Sequence, residues 1–230
     1  MMEKMLKSHE NCDDSIFFVW WLMNSFETDL RRAVFSLRFL LGMAVQLAVL
    51  WYGGFGSTLY KMTVPIVCTL PYACGWLDEY KGGFVRLSLV RSSLRGYIWG
   101  KFLACCISGG GVEVLAAWLY ISLKQEEGLT CAYGLLFLSA ALWAAAAALL
   151  AALSDSKYLA YGGSFVLYYF LVILCERYWN QLYCLYPYEW FAPEHLWIFG
   201  DTGVAMLLFG LLLILAFGYY CVLERRIAHA

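Results

Sequence analysis

The feature that most limits what this chain can fold into is a set of long runs without a single ionisable acid or base. Phe39–Tyr60, Gly128–Ser154, Tyr158–Cys175 and Thr202–Leu223 contain no Asp, Glu, Lys or Arg, and each approaches or exceeds the roughly 20 apolar residues that cross a bilayer as a helix. Two further runs carry one charge each. Ser57–Leu77 holds only Lys61, near its start, where a lysine can snorkel to the headgroups. Phe102–Leu123 is interrupted only by Glu113. With 63% hydrophobic and 14% charged residues, the chain departs from soluble domains, in which about 25% of residues are charged. The expectation is an all-α integral membrane protein of six spans, with little chain left for a soluble domain. A net charge of −1 gives no reason to expect a nucleic-acid partner.

The distribution of cations sets the expected orientation. With the N-terminus in the cytoplasm, Lys4, Lys7, Arg31, Arg32, Arg38, Lys81, Arg86, Arg91, Arg95, Lys101, Lys157, Arg225 and Arg226 fall inside, and only Lys61, Lys124 and Arg177 fall outside. Lys and Arg concentrate on the cytoplasmic side of multi-pass proteins. An odd number of spans would scramble this split, so both termini are expected inside.

Along the chain, residues 1–14 read as a polar tail. Ile16–Met23 follows Asp13 and Asp14 and is too short to span, so it resembles neither a signal peptide nor a transmembrane helix. Residues 15–36 read as an amphipathic helix on the cytoplasmic face. Asn24 with Glu27 fits a capping box, Phe26, Leu30, Val34 and Leu37 recur at helical spacing, and Glu27 precedes Arg31 by one turn. A simple extension of the first span is the other reading. The first two spans are expected to turn through Gly53, Gly54 and Gly56, and Pro65 and Pro71 predict an irregular, bundle-packed second span whose freed backbone groups neighbours must satisfy.

The loop at 78–95 is the most charged internal stretch. Gly82-Gly83 and Arg91-Ser92-Ser93 break it, leaving a short helix on which Phe84, Leu87 and Val90 can share a side. It reads either as a docking element or as cations that only set topology. Glu113 lies well inside a span, where a charged side chain costs about 2.5–3.5 kcal/mol at the bilayer centre on insertion scales. It therefore marks a substrate or ion pathway, or else a structural hydrogen-bonding position. The segment 176–200 is rich in Tyr and Trp, as membrane interfaces are. The alternative there is a re-entrant outer structure shaping an exit, with Pro187 and Pro193 setting its turns. Cys175 and Cys184 fall together on that side, as a disulfide or as two thiols.

Signs of chemistry within the chain are weak. Gly96–Lys101 (GYIWGK) is one residue short of a phosphate-binding loop, lacks the following Ser or Thr, and follows no strand. Phe191 and His195 match one element of intramembrane CAAX-type proteases, but Glu126-Glu127 is followed by no arginine at the required position. Three histidines and nine cysteines without paired CxxC spacing give no metal site.

Several motifs occur in an order that carries a resemblance. LPYACGW ends the second span and is followed by Glu79, Gly83 and Arg86. LVRSSLRGYIWGK leads into the third span, SGGG lies within it, and LWAAAAALLAALSDS and YPYEW come later. From about Arg31 onward the chain resembles the permease subunits of bacterial ATP-binding-cassette exporters of the type-2 class. That resemblance implies a coupling helix at Glu79–Leu89, with Glu79, Lys81, Arg86, Arg91 and Arg95 contacting a separate ATPase subunit. It implies that Tyr97 and Lys101 anchor the base of the third helix, and that Pro187, Trp190 and Pro193 belong to the outer segment. ATP and Mg would sit on the partner subunit, and this chain would itself be no enzyme. A second permease copy or a related one would complete the pore in the bacterial cytoplasmic membrane. An amphipathic or lipid-like cargo, such as an antimicrobial peptide or drug, is expected. Glu113 matches no family role. The competing reading is a six-helix substrate-capture or immunity protein without a pump, and a weaker one is an intramembrane hydrolase.

Overall fold

The computed structural model describes residues 26–91, 93–124, 132–178, 183–191, 197 and 199–228. Among these the secondary structure is helical, without strands. The helices are α1 (Phe26–Val34), α2 (Leu37–Gly53), α3 (Thr58–Val67), α4 (Gly75–Lys81), α5 (Val85–Arg91), α6 (Leu94–Lys124), α7 (Tyr133–Ser154), α8 (Lys157–Arg177) and α9 (Asp201–Ala228), with a 3₁₀ turn at Tyr183–Leu185. The tail 1–14, the proposed cap residue Asn24, and Glu126, Glu127, Pro193 and His195 lie outside the described residues.

Four helices, α6 to α9, are long and apolar enough to cross a membrane, and a fifth span results if α1 and α2, bent by 51° to one another, count together. The protein is thus a multi-pass membrane protein by its helices. The bend has a local cause. Helix α1 stops before Ser36, whose extended backbone (ψ 146°) and hydroxyl, accepting from the Phe39 amide at 3.1 Å, start α2 afresh.

The run Ser57–Leu77 is not one continuous helix but follows an irregular path, as Pro65 and Pro71 predict. Ser57 caps α3, which ends at Val67 after Pro65. The backbone then tightens, with Thr69 N–H bonding Ile66 O and Leu70 N–H bonding Val67 O. Pro65 O consequently loses its normal donor one turn on. The buried Ser164 hydroxyl of α8 supplies one instead, at 3.1 Å. A side chain from the adjacent helix thus serves the carbonyl that the break exposes, as an apolar surrounding demands. The first turn, by contrast, falls where expected: α2 ends at Gly53, and Gly54 takes φ 74°.

Helix α7 is the centre of the bundle and packs against α6, α8 and α9. Of its most apolar window 78% is buried, against 28% for α8 and 22% for α9, which form the outer wall. Enclosure on every side explains the alanines. Ala140, Ala141, Ala144, Ala145, Ala147, Ala148, Ala151 and Ala152 are all buried, and only small side chains let neighbouring backbones approach from all directions. Gly109 of α6 completes the fit. A Cβ there would lie 2.6 Å from Ala144 Cβ and 2.7 Å from Cys68 O.

Most of the ion pairs gather at one end. Arg38 pairs with Asp78 at 3.5 Å, Lys157 pairs with the same Asp78, and Arg226 pairs with Asp155 and reaches Leu153 O at 2.8 Å. These contacts join the start of α2, α4, the α7–α8 turn and the end of α9 at one end. At the other, Lys124 lies 6.0 Å from the Trp51 ring and Lys61 lies 5.1 Å from that of Tyr188.

Substituting Gly109 by Val should lower stability by about 1–3 kcal/mol through overpacking. Gly111→Ala, where a Cβ meets nothing within 4 Å, should leave the melting temperature unchanged or slightly raised. Thermal unfolding of the detergent-solubilised protein reads both.

Candidate functional site

The charged end is organised around one lysine. Lys101 lies in the second turn of α6 with its side chain only 1% exposed. Removing an ammonium from water costs several kcal/mol unless partners replace the lost hydration, and here they do. Lys101 Nζ is 2.9 Å from Glu79 Oε1 and donates to Asp29 Oδ1 at 3.3 Å and to the Tyr72 hydroxyl at 3.1 Å. Tyr72 in turn donates to Asp29 Oδ1 at 2.6 Å, and Tyr97 donates to Glu79 Oε2 at 2.8 Å. The ammonium also lies 5.0 Å and 5.5 Å from the ring centroids of Tyr97 and Tyr72, a cation–π arrangement. Arg32 adds a contact of 3.3 Å to Glu79 Oε1. Two cations and two carboxylates balance, so the site is neutral as a whole.

The partners come from three other segments and from α6 itself. Asp29 and Arg32 lie on α1, Tyr72 in the turns after α3, Glu79 on α4, and Tyr97 and Lys101 on α6. The cluster therefore locks three separate segments to the base of α6. Asp78, adjacent to Glu79, holds Arg38 and Lys157 in the same way, which makes α4 the hub of the charged end.

Between α2 and this hub runs a groove of about 430 Å³ lined by Arg32, Ser36, Leu37, Arg38, Pro71, Tyr72, Gly75, Asp78 and Glu79.

The remaining sequence-derived residues fall as follows. The expected coupling helix Glu79–Leu89 is split. Helix α4 ends at Lys81, Gly83 takes φ 72°, and α5 starts at Val85. Glu79 consequently faces the bundle interior with 16% side-chain exposure, while Lys81 and Arg95 are exposed. Arg86 and Arg91 lie on α5, with side chains outside the described part. On α5, Val85 is buried and Leu89 packs against the core, whereas Leu87, and Phe84 just before the helix, are 65% and 59% exposed.

Helix α1 turns Asp29 and Ala33 toward the bundle, at 5% and 0% exposure, and Leu37 lies beyond the bend on α2, 71% exposed. The salt bridge from Arg31 to Glu27, at 2.7 Å, lies on its exposed side as the spacing indicated. The GYIWGK stretch is plain helix within α6, so no loop is present there to cradle phosphate.

Glu113 is completely buried in α6 facing Gln46 of α2, also at 0% exposure. None of the four polar side-chain atoms of these two residues has a hydrogen-bond partner of good geometry. At the aromatic end, Trp190 is 1% exposed, donates to Cys184 O at 3.0 Å and stacks 5.8 Å from Trp143. Pro187 precedes it in the same turn. Tyr186 donates to Glu176 at 3.0 Å, and burial together with that bond raises its phenol above the usual range. Cys175 and Cys184 are free thiols. Among the described residues no group of His, Cys, Asp and Glu could hold a metal ion.

Sequence reasoning found Lys101, Glu79 and Tyr97 but missed Asp29 and Tyr72 as their partners. A usable signal existed: a lysine inside a 31-residue, largely apolar helix requires a counter-charge. Comparison with known proteins adds nothing further, because no family model, curated protein or solved structure matches the chain.

Lys101→Ala should destabilise the protein by about 3–5 kcal/mol, because it leaves two carboxylates without their buried cation. Tyr97→Phe, which removes one bond to a charged acceptor, should cost about 1.5–3 kcal/mol. Denaturation in mild detergent distinguishes the two. Replacing Glu113 and Gln46 together by Leu should be neutral or stabilising in the same assay, because it removes four buried polar atoms that have no partner.

Proposed function

We propose that this chain is the membrane-spanning permease subunit of an ATP-binding-cassette exporter, driven by ATP hydrolysis on a separate subunit. The observation that carries the reading is α5. This short helix lies at the charged end, buries Val85 against the bundle, and turns Phe84 and Leu87 outward. An exposed apolar pair on a helix held against a rigid base is suited to sit in a cleft of a soluble partner. Motion there has a direct route into the bundle. The segment is continuous with α4 on one side and α6 on the other, and the Glu79–Lys101 contact links those two helices.

In this reading the chain crosses the cytoplasmic membrane of a bacterium six times. Helix α2 and the broken stretch from α3 to α4 supply the first two passes, and the charged end faces the cytoplasm, as the excess of Lys and Arg favours. The charged residues nearest the motor would be Lys81, Arg86, Arg91 and Arg95, with Glu79 acting as an internal tie rather than a contact. ATP and Mg belong to the partner, and a second permease copy or a related one would complete the pathway. The carboxyl of Glu113 would become a lining group only when α2 and α6 part. An amphipathic or lipid-like cargo fits the aromatic end best.

Replacing both Phe84 and Leu87 by Glu should abolish co-purification of the ATP-binding subunit. Stability should change by less than about 0.5 kcal/mol, as expected for exposed positions. Isolation of the chain from its native membrane free of any ATP-binding subunit would overturn the proposal. High-affinity ligand binding by the lone chain, indifferent to changes at Phe84 and Leu87, would favour the substrate-capture alternative.

A further inference from the structure

The charged end is not neutral once the surroundings of its buried lysine are counted. Two ion-pair groups meet at neighbouring residues of α4: Lys101 and Arg32 with Asp29 and Glu79, and Arg38 and Lys157 with Asp78. Four cations thus face three carboxylates among the described residues. The excess positive charge is not spread evenly. The shorter contacts of Glu79 go to Lys101 and Tyr97, at 2.9 Å and 2.8 Å, and Asp78 lies closer to Lys157 than to Arg38. Arg32 and Arg38 hold these acids only at 3.3 Å and 3.5 Å, with side chains 64% and 53% exposed. Exposed pairs of this kind contribute little to stability, so the guanidinium groups remain available to a better acceptor.

Both arginines line the groove between the α1–α2 bend and α4, and Leu37 lines it with them. From Leu37 an exposed apolar strip continues along α2. Leu37, Leu40, Leu41 and Val45 are 71%, 53%, 54% and 48% exposed, and their spacing puts them on one helix face. The groove, which Asp78 and Glu79 line as well, thus presents two half-exposed, loosely paired arginines beside a strip of aliphatic side chains, at the start of α2.

We propose that this groove binds one anionic phospholipid, with its phosphodiester on Arg32 and Arg38 and its acyl chains along Leu37, Leu40, Leu41 and Val45. A phosphodiester carries the single negative charge that the cluster lacks. Arginine binds phosphate oxygens through paired N–H groups, a geometry that lysine cannot reproduce. The apolar strip accounts for a lipid rather than a free anion, since a soluble phosphate would leave it unused. A lipid seated there would touch both α1 and α4, and would tighten the bend between α1 and α2. The inference rests on the charged end lying at a bilayer surface, and not on the chain being part of a pump.

The test uses the full chain alone in neutral detergent, titrated with phosphatidylglycerol or phosphatidylcholine and followed by native mass spectrometry. One phosphatidylglycerol should be retained per chain. Phosphatidylglycerol on the Arg32→Gln/Arg38→Gln variant should bind roughly 30-fold more weakly, at about 1 kcal/mol per cation near an anionic headgroup, and phosphatidylcholine, whose choline cation offsets its phosphodiester, should bind the wild type more weakly than phosphatidylglycerol does. Equal retention of the two lipids, or full retention by the variant, would overturn the proposal. So would displacement of the lipid by inorganic phosphate. Photoactivatable phosphatidylglycerol on the wild-type chain gives a measurement that needs no variant to fold. Its label should fall between residues 32 and 45, and labelling confined to α8 or α9, or cross-linking of the strip to a second copy instead, would exclude the site. Because no ATPase is present, failure here leaves the transport reading untouched.

Discussion

Burial of the Lys101 ammonium is the constraint on which the charged end depends. A cation at 1% exposure must be surrounded by acceptors or the base of α6 cannot pack, and no single segment of this chain supplies enough of them. Asp29 arrives from α1, Tyr72 from the turns after α3 and Glu79 from α4. The lysine therefore fixes where three otherwise independent segments come to rest. The same requirement explains why α1 turns an aspartate inward while Phe35, just beyond its end, is 86% exposed. Charge compensation outranks apolar burial at that position, because an unpaired buried charge costs several kcal/mol and an exposed Phe beside lipid costs little.

Deeper in the bundle the governing constraint is size rather than charge. Lipid offers no hydrophobic penalty to separate helices, so association depends on close packing. The alanine face of α7 and Gly109 of α6 provide it, with Cys105 Sγ reaching Ala144 O at 3.4 Å. The close approach also fixes the broken end of α3, since Cys68 O lies against Gly109. Proline alone would have made α3 irregular. The glycine opposite and Ser164 beside it make one irregular path stable.

The sequence made the long helices legible because each is a charge-free run bounded by charges or glycines. Helices α8 and α9 extend their predicted runs by one to five residues, α7 starts at Tyr133 within its run, and α6 begins eight residues before its own. That extension brings Lys101 into the helix, where an apolar-run criterion would stop short of it. The hairpin glycines and the Gly82-Gly83 break were equally readable, because a positive φ at Gly54 and Gly83 needs the residue without a Cβ. Less was legible at the candidate site. Glu79 was expected, from the resemblance, to contact a partner subunit, and nothing local to Asp29 relates it to a lysine 72 positions on.

The sequence by itself determined a helical, multi-pass chain with its cations gathered toward one end, because hydropathy and charge distribution are local properties summed along short windows. Only the tertiary structure decided which charges are spent inside the molecule and which remain at its surface. Glu79 and Lys101 are 22 positions apart and Asp29 and Lys101 are 72 apart, and no periodicity relates such distances. Their pairing follows from the way the helices pack, and the packing in turn is admissible only because those charges meet. That mutual dependence is what a one-dimensional reading of charge cannot express.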